Sequence, residues 1–120
     1  MGRPAIILFA HGSRDPLWHL PIEAVAAAIR ARDGDALVAC AYLELSTPDL
    51  AQCATDLIAA GARQLRVFPL FLGVGKHARE DLPQLVAQLR AAHPGVPVEL
   101  MAAAGEHARL TSLMAEIALS

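Results

Sequence analysis

The strongest constraint on this chain is an alternation, repeated four times, of a short apolar run with a stretch of helical period. Residues 4–10 (PAIILFA), 36–43 (ALVACAYL), 64–71 (QLRVFPLF) and 96–101 (VPVELM) are the apolar runs. Runs of this length and near-continuous hydrophobicity suit strands buried on both faces. Pro69 lies near the end of its run, where a missing N–H matters least. A helix is expected over 21–32, with Val25, Ala28 and Ile29 on its inner face. Leu50, Cys53, Ala54, Leu57 and Ile58 then recur at i, i+3, i+4, i+7 and i+8, which is one helix face. Leu82, Leu85, Val86 and Leu89 mark a third helix, placed after His77, and Leu110, Leu113, Met114 and Ile117 a fourth. Asp33-Gly34-Asp35, Gly61 and His93-Pro94-Gly95 are the stops, and Ser46-Thr47-Pro48-Asp49 reads as an N-cap with proline in the first turn. Residues 17–21 are ambiguous, because Pro21 would interrupt a helix running through them.

Short strands alternating with amphipathic helices, with no linker or low-complexity tract between them, imply a single α/β domain over residues 1–120. Its sheet should be four-stranded and parallel, with helices on both faces. Right-handed crossovers limit the topology, and a flavodoxin-like strand order of 2-1-3-4 is the simplest solution.

Composition narrows the function classes. The chain of 120 residues is 55% hydrophobic and only 4% aromatic. So small a domain cannot bury that much apolar surface alone, so self-association or a ligand groove is expected. A net charge of −2 gives no general attraction to nucleic acid. The longest apolar run, 36–43, is far short of the roughly 20 residues that span a bilayer. The N-terminal run ends on a candidate functional residue, so it reads as a strand rather than a cleaved leader, and a cytoplasmic location is expected. Cys40 and Cys53 form no CxxC pair and read as two small core residues.

In an open parallel sheet, ligands bind beyond the carboxyl ends of the strands, where the strand order reverses. With order 2-1-3-4 that point lies between the first and third strands. His11 closes the first apolar run directly. His77 follows the third, after a loop loosened by Gly73 and Gly75. Glu44 follows the second. His77 alone reads as a surface or loop residue, whereas an imidazole set between Phe9-Ala10 and Gly12-Ser13 serves no obvious packing need; it is the shared edge of the two that points to chemistry. Neighbouring strands lie about 4.8 Å apart, so side chains from two such ends can converge on one ion. His11 and His77 are therefore the expected ligands of a divalent metal, with Glu44 beside them. His19 and His93 are set aside, and His107 is a lesser candidate. Gly12 and Ser13 offer amides and a hydroxyl to an anion. Arg14, Lys76 and Arg79 add positive charge, while Leu70, Phe71, Leu72 and Val74 supply an apolar wall. Together they suit a large flat ligand with acidic edges.

HGSRDP after the first strand, YLELSTPDL after the second and FPLFLGVGKHAREDLP after the third resemble the small sirohydrochlorin chelatases. These are the CbiX-type, single-domain members of the tetrapyrrole chelatase superfamily. The resemblance runs through all four strand–helix units. It implies a lyase-type chelatase that inserts cobalt or iron into sirohydrochlorin during cobalamin or siroheme synthesis, with no permanently bound cofactor, since the divalent metal is a substrate. It also implies that His11 and His77 hold the metal and act in catalysis, with Glu44 assisting. Gly12, Ser13, Arg14, Leu72, Gly73, Val74 and Lys76 are the residues expected to meet the tetrapyrrole. A chain of this size would form a homodimer that mimics the facing domains of longer relatives. A nickel chelatase and a non-catalytic metal or tetrapyrrole carrier are the alternatives. A phosphoryl-transfer enzyme built on the HGSR turn would lack a Gly-rich P-loop.

Overall fold

The computed structural model describes residues 4–120. In chain order it has β1 (Ala5–Ala10), α1 (Leu20–Arg32), β2 (Val38–Tyr42), α2 (Leu50–Ala59), β3 (Leu65–Pro69), α3 (Lys76–Ala92), β4 (Val98–Leu100) and α4 (Ala108–Leu119). Single 3-10 turns occupy Pro16–His19 and Ala104–Glu106. The strands form one parallel sheet in the order β2-β1-β3-β4, as the alternation predicts. β1 is central: Leu8 pairs with Cys40 on one side and Phe68 on the other.

Alternation along β1 builds two cores. Ala5, Ile7 and Phe9 point toward α2 and α3, packing with Leu50, Cys53, Leu57, Leu82, Val86 and Leu89. Leu8 and Ala10 point the other way and pack with Ala26 of α1, Cys40 and Tyr42. The helix after β1 thus covers one face, and the two that follow β2 and β3 cover the opposite one. The reversal falls between β1 and β3, which fixes the carboxyl edge of these strands as the ligand-binding edge of such a sheet.

The elements differ from the sequence reading in instructive places. In α1 the buried position is Ala26, flanked by half-buried Ile22 and Ile29; Val25 and Ala28 face outward. Alanine-rich helices carry little contrast between faces, so their apolar phase is easily misjudged by one position. Pro21 sits in the first turn of α1, where its missing N–H costs nothing. The cap of α2 is Asp49, whose side chain accepts from the Gln52 amide at 2.9 Å. Pro48 precedes that cap, after a cis Thr47–Pro48 bond, and does not enter the first turn. α3 starts at Lys76, so His77 belongs to its first turn and not to the loop before it. The α4 stripe is correct in period, yet none of its residues is buried; Leu113 is 48% and Ile117 63% exposed. The pattern identifies an apolar face, but nothing among the described residues buries it. Instead α4 and α1 wall an apolar groove of about 610 Å³ over Phe68 and Leu70.

Both cysteines are buried free thiols, one in each core. Burial pushes Cys40 up to about 11 and Cys53 up to about 12, from an ordinary 9.0. Burial likewise lifts the Tyr42 phenol to about 12, from 10.0. The folded chain therefore holds these protons after the unfolded chain has begun to lose them. Stability should be level up to about pH 9 and fall progressively from there toward pH 12. Thermal melts across that range would check the expectation, and an unchanged melting temperature at pH 11 would contradict it.

Candidate functional site at the carboxyl edge of the sheet

Strand pairing does not stop where β1 and β2 formally end. The Leu43 amide donates to the Ala10 carbonyl at 2.8 Å, and the Glu44 amide to the His11 carbonyl at 3.0 Å. Gly12 follows with φ +99, and a Cβ there would lie 1.8 Å from the Glu44 carbonyl oxygen. Only glycine permits both that backbone angle and that approach. Leu45 also takes a positive φ, +62, as the second loop turns away. One residue further the lacing becomes side chain to backbone. The Ser13 amide donates to Ser46 Oγ at 3.0 Å, and the Ser46 hydroxyl donates to the Ser13 carbonyl at 2.7 Å. On the other side, the Leu70 amide donates to the Phe9 carbonyl at 2.8 Å, and the Gly105 amide to the Phe71 carbonyl at 2.9 Å. All four post-strand loops are thus tied to a neighbour, a rigid setting for the side chains they carry.

His11 stands at the centre of this edge. Its ring stacks on Phe71, which follows β3, with centroids 4.2 Å apart and planes at 26°. Phe71 is buried and in turn tilts against Phe9 at 6.2 Å. One face of the imidazole is thereby covered, while the residue itself remains exposed. Among the described residues no hydrogen bond engages either ring nitrogen of His11, so both are open to a ligand. His77 is exposed in the first turn of α3, beside Ala78, which packs into the same core as Phe71. Its nitrogens are also without a hydrogen bond among the described residues. Glu44 is exposed and meets His11 through the backbone. It also lines a groove of about 750 Å³ that runs past Thr47, Asp49 and Asp56.

The surrounding candidates divide. Arg14, Lys76 and Arg79 are exposed, and none is in an ion pair among the described residues. Leu72 is 67% exposed, Gly73 is exposed and Val74 is half-buried against the core. Leu70 leaves the expected apolar wall, because it packs with the α1-side core. His107 is drawn away as well: its ring meets Phe68 edge-on at 5.7 Å, and its Nε2 lies 3.2 Å from the Ala102 carbonyl. No three or more His, Cys, Asp or Glu residues gather to hold an ion among the described residues. A metal here would meet a sparse, open ligand set rather than a closed cage. Sequence reasoning missed His19, which stacks on Tyr42 at 4.4 Å and reaches Ser46 Oγ at 2.9 Å. The signal available was its position in the turn immediately after HGSRDP.

The fold and this edge define an α/β protein of the open parallel-sheet class, with free imidazole at the topological switch point. The particular family follows from comparison: the CbiX family model matches residues 5–119, and the chain belongs to that family. It is 32% identical over 82 residues to the sirohydrochlorin cobaltochelatase of Methanococcus aeolicus, a match covering 68% of this chain and 57% of that protein. It is 29% identical to the chloroplastic sirohydrochlorin ferrochelatase of Arabidopsis thaliana, over 85% of this chain and 45% of that protein. The chain thus spans about half the length of these relatives. The crystal structure of a CbiX protein from Marinobacter aquaeolei VT8 superimposes with a TM-score of 0.84 at 32% identity, covering 98% of this chain and 95% of that one.

Proposed function

We propose that this protein is a sirohydrochlorin chelatase that inserts cobalt or iron, as the divalent ion, into the macrocycle during cobalamin or siroheme synthesis. The observation that carries this reading is His11, held by stacking on Phe71 at the switch point of a CbiX-family fold, with neither ring nitrogen hydrogen-bonded among the described residues. A neutral imidazole binds a borderline divalent ion well and can also accept a proton.

Metallation replaces two pyrrole N–H protons with one divalent ion, so two protons leave as the ion loses its water. His11 and His77 hold the incoming ion, and Glu44 accepts protons released from the ring. Two imidazoles without thiolates grip less firmly than a closed four-ligand site, which suits an ion that must be handed on. Gly12 and Ser13 with Arg14 and Lys76 meet the acidic edges of the substrate, while Leu72, Gly73 and Val74 line its flat face. Leu17, Trp18, Leu20, Leu45 and Leu72 are exposed apolar side chains in the post-strand loops or just after them. Together with the bare α4 stripe they support a homodimer, which should appear as twice the chain mass in light scattering at micromolar concentration. A strictly monomeric active species would contradict it.

Purified protein mixed with sirohydrochlorin and Co²⁺ or Fe²⁺ should change the absorbance of the macrocycle faster than the same mixture without protein. A carrier would bind the ring or ion and leave the rate at background, which would overturn the enzymatic reading. A preference for Ni²⁺ in the same assay would redirect it to a nickel chelatase.

A further inference from the structure

The contacts around Ser46 fix the position of a hydrogen. A serine hydroxyl has one proton to give and two lone pairs to accept with. Ser46 Oγ and the Ser13 carbonyl oxygen are 2.7 Å apart, too close for two oxygens without a hydrogen between them, so the Ser46 proton points at Ser13. The Ser13 amide fills one lone pair at 3.0 Å. His19 Nε2, at 2.9 Å, faces the other. It can make that contact only as an N–H donor. The ring is fixed from below as well, by stacking on buried Tyr42 at 20° between planes.

We propose that His19 is a positioning residue: with a proton on Nε2, it pins Ser46 and so locks the loop that carries His11 onto the loop that carries Glu44. The proposal rests on the chelatase reading, whose two side chains it orients. The clamp touches neither the His11 ring nor the Glu44 carboxylate, so it acts through placement, where a misplacement of about 1 Å can cost about 100-fold in rate. The clamp is the last stitch of the lacing that runs Ala10–Leu43, His11–Glu44, Ser13–Ser46. Of these three stitches it is the one made through a side chain, so it can be cut without altering the strand ladder. Asp15 supports the same turn: its amide donates to Ser13 Oγ at 3.0 Å, and its carboxylate accepts from the Leu17 amide at 3.0 Å.

His19→Phe keeps a ring over Tyr42 and removes the donor, whereas His19→Gln restores an N–H donor of similar reach. The phenylalanine variant should stay folded and lose about tenfold in kcat for metallation through misplacement of the loop, and the glutamine variant should recover most of that loss. Equal activity in the wild type and His19→Phe, or equal impairment of both variants, would overturn the proposal. Two spectroscopic measurements need no turnover, so they stand even if the wild type proves inactive as a chelatase. Imidazole ¹⁵N NMR at neutral pH should show His19 protonated on Nε2; a ring protonated only on Nδ1 would overturn the clamp. The His11 ring protons, shifted by the stacked Phe71 ring, should move in both His19→Phe and Ser46→Ala. An unmoved His11 signal in whichever of the two is folded would show that His19 does not position His11.

Discussion

Replacing Gly12 with alanine is expected to force apart the loops that follow β1 and β2, and so to lower both stability and turnover. The φ of +99 is one that side-chain-bearing residues rarely adopt, and imposing it costs about 1–3 kcal/mol. The new Cβ would also fall 1.8 Å from the Glu44 carbonyl oxygen, so the two loops must separate. Separation breaks the Glu44-to-His11 backbone bond and the Ser13–Ser46 pair together, because they flank the same glycine. For a domain of this size, about 3 kcal/mol corresponds to a fall of roughly 10 °C in melting temperature. Activity should fall further than stability, since the loop that carries His11 is displaced even in molecules that remain folded. Gly34→Ala is the control: a Cβ there meets nothing within 4 Å, and its melt should stay close to that of the wild type. A Gly12→Ala protein with wild-type stability and turnover would mean that the two loops are not held together as described.

The second large effect is chemical. His11→Ala and His77→Ala should each lower the metallation rate on the order of 100-fold while leaving the fold intact. Folding survives because both side chains are exposed. The stacking that His11 loses with Phe71 is worth only about 0.5–1.5 kcal/mol. The double variant should be little worse than either single one, because two ligands of one ion act as a unit. Independent losses that multiply would indicate two separate roles. Circular dichroism beside the rate measurement separates a chemical defect from an unfolded chain.

The topology was legible in the sequence because a parallel sheet covered on both faces leaves a strong signature. Its strands are short, continuous and apolar, and its connections are rich in Gly, Pro and Asp. Strand order follows from handedness and short connections, and it places His11, His77 and Glu44 after strands that end on one edge. Details set by packing were not legible. Val25 and Ile29 are both apolar, and only the sheet beneath decides that Ala26, between them, is the buried one. Leu70 and Phe71 are adjacent in an apolar run, yet they serve opposite cores. Phe71 reached His11 because strand alternation turned it toward the same face as Phe9. His19 was invisible for a different reason: its partner Ser46 is 27 residues away, and nothing local predicts a hydrogen bond across two loops.

The central claim is that His11 and His77 share one ion. Its most direct test is a Co²⁺ titration of the intact protein followed by the imidazole resonances of its five histidines. His11 and His77 should broaden together at a single midpoint while His93 stays sharp, and His11→Ala should weaken the response of His77. Broadening of only one of the two, separate midpoints, or a His77 response untouched by His11→Ala would contradict it.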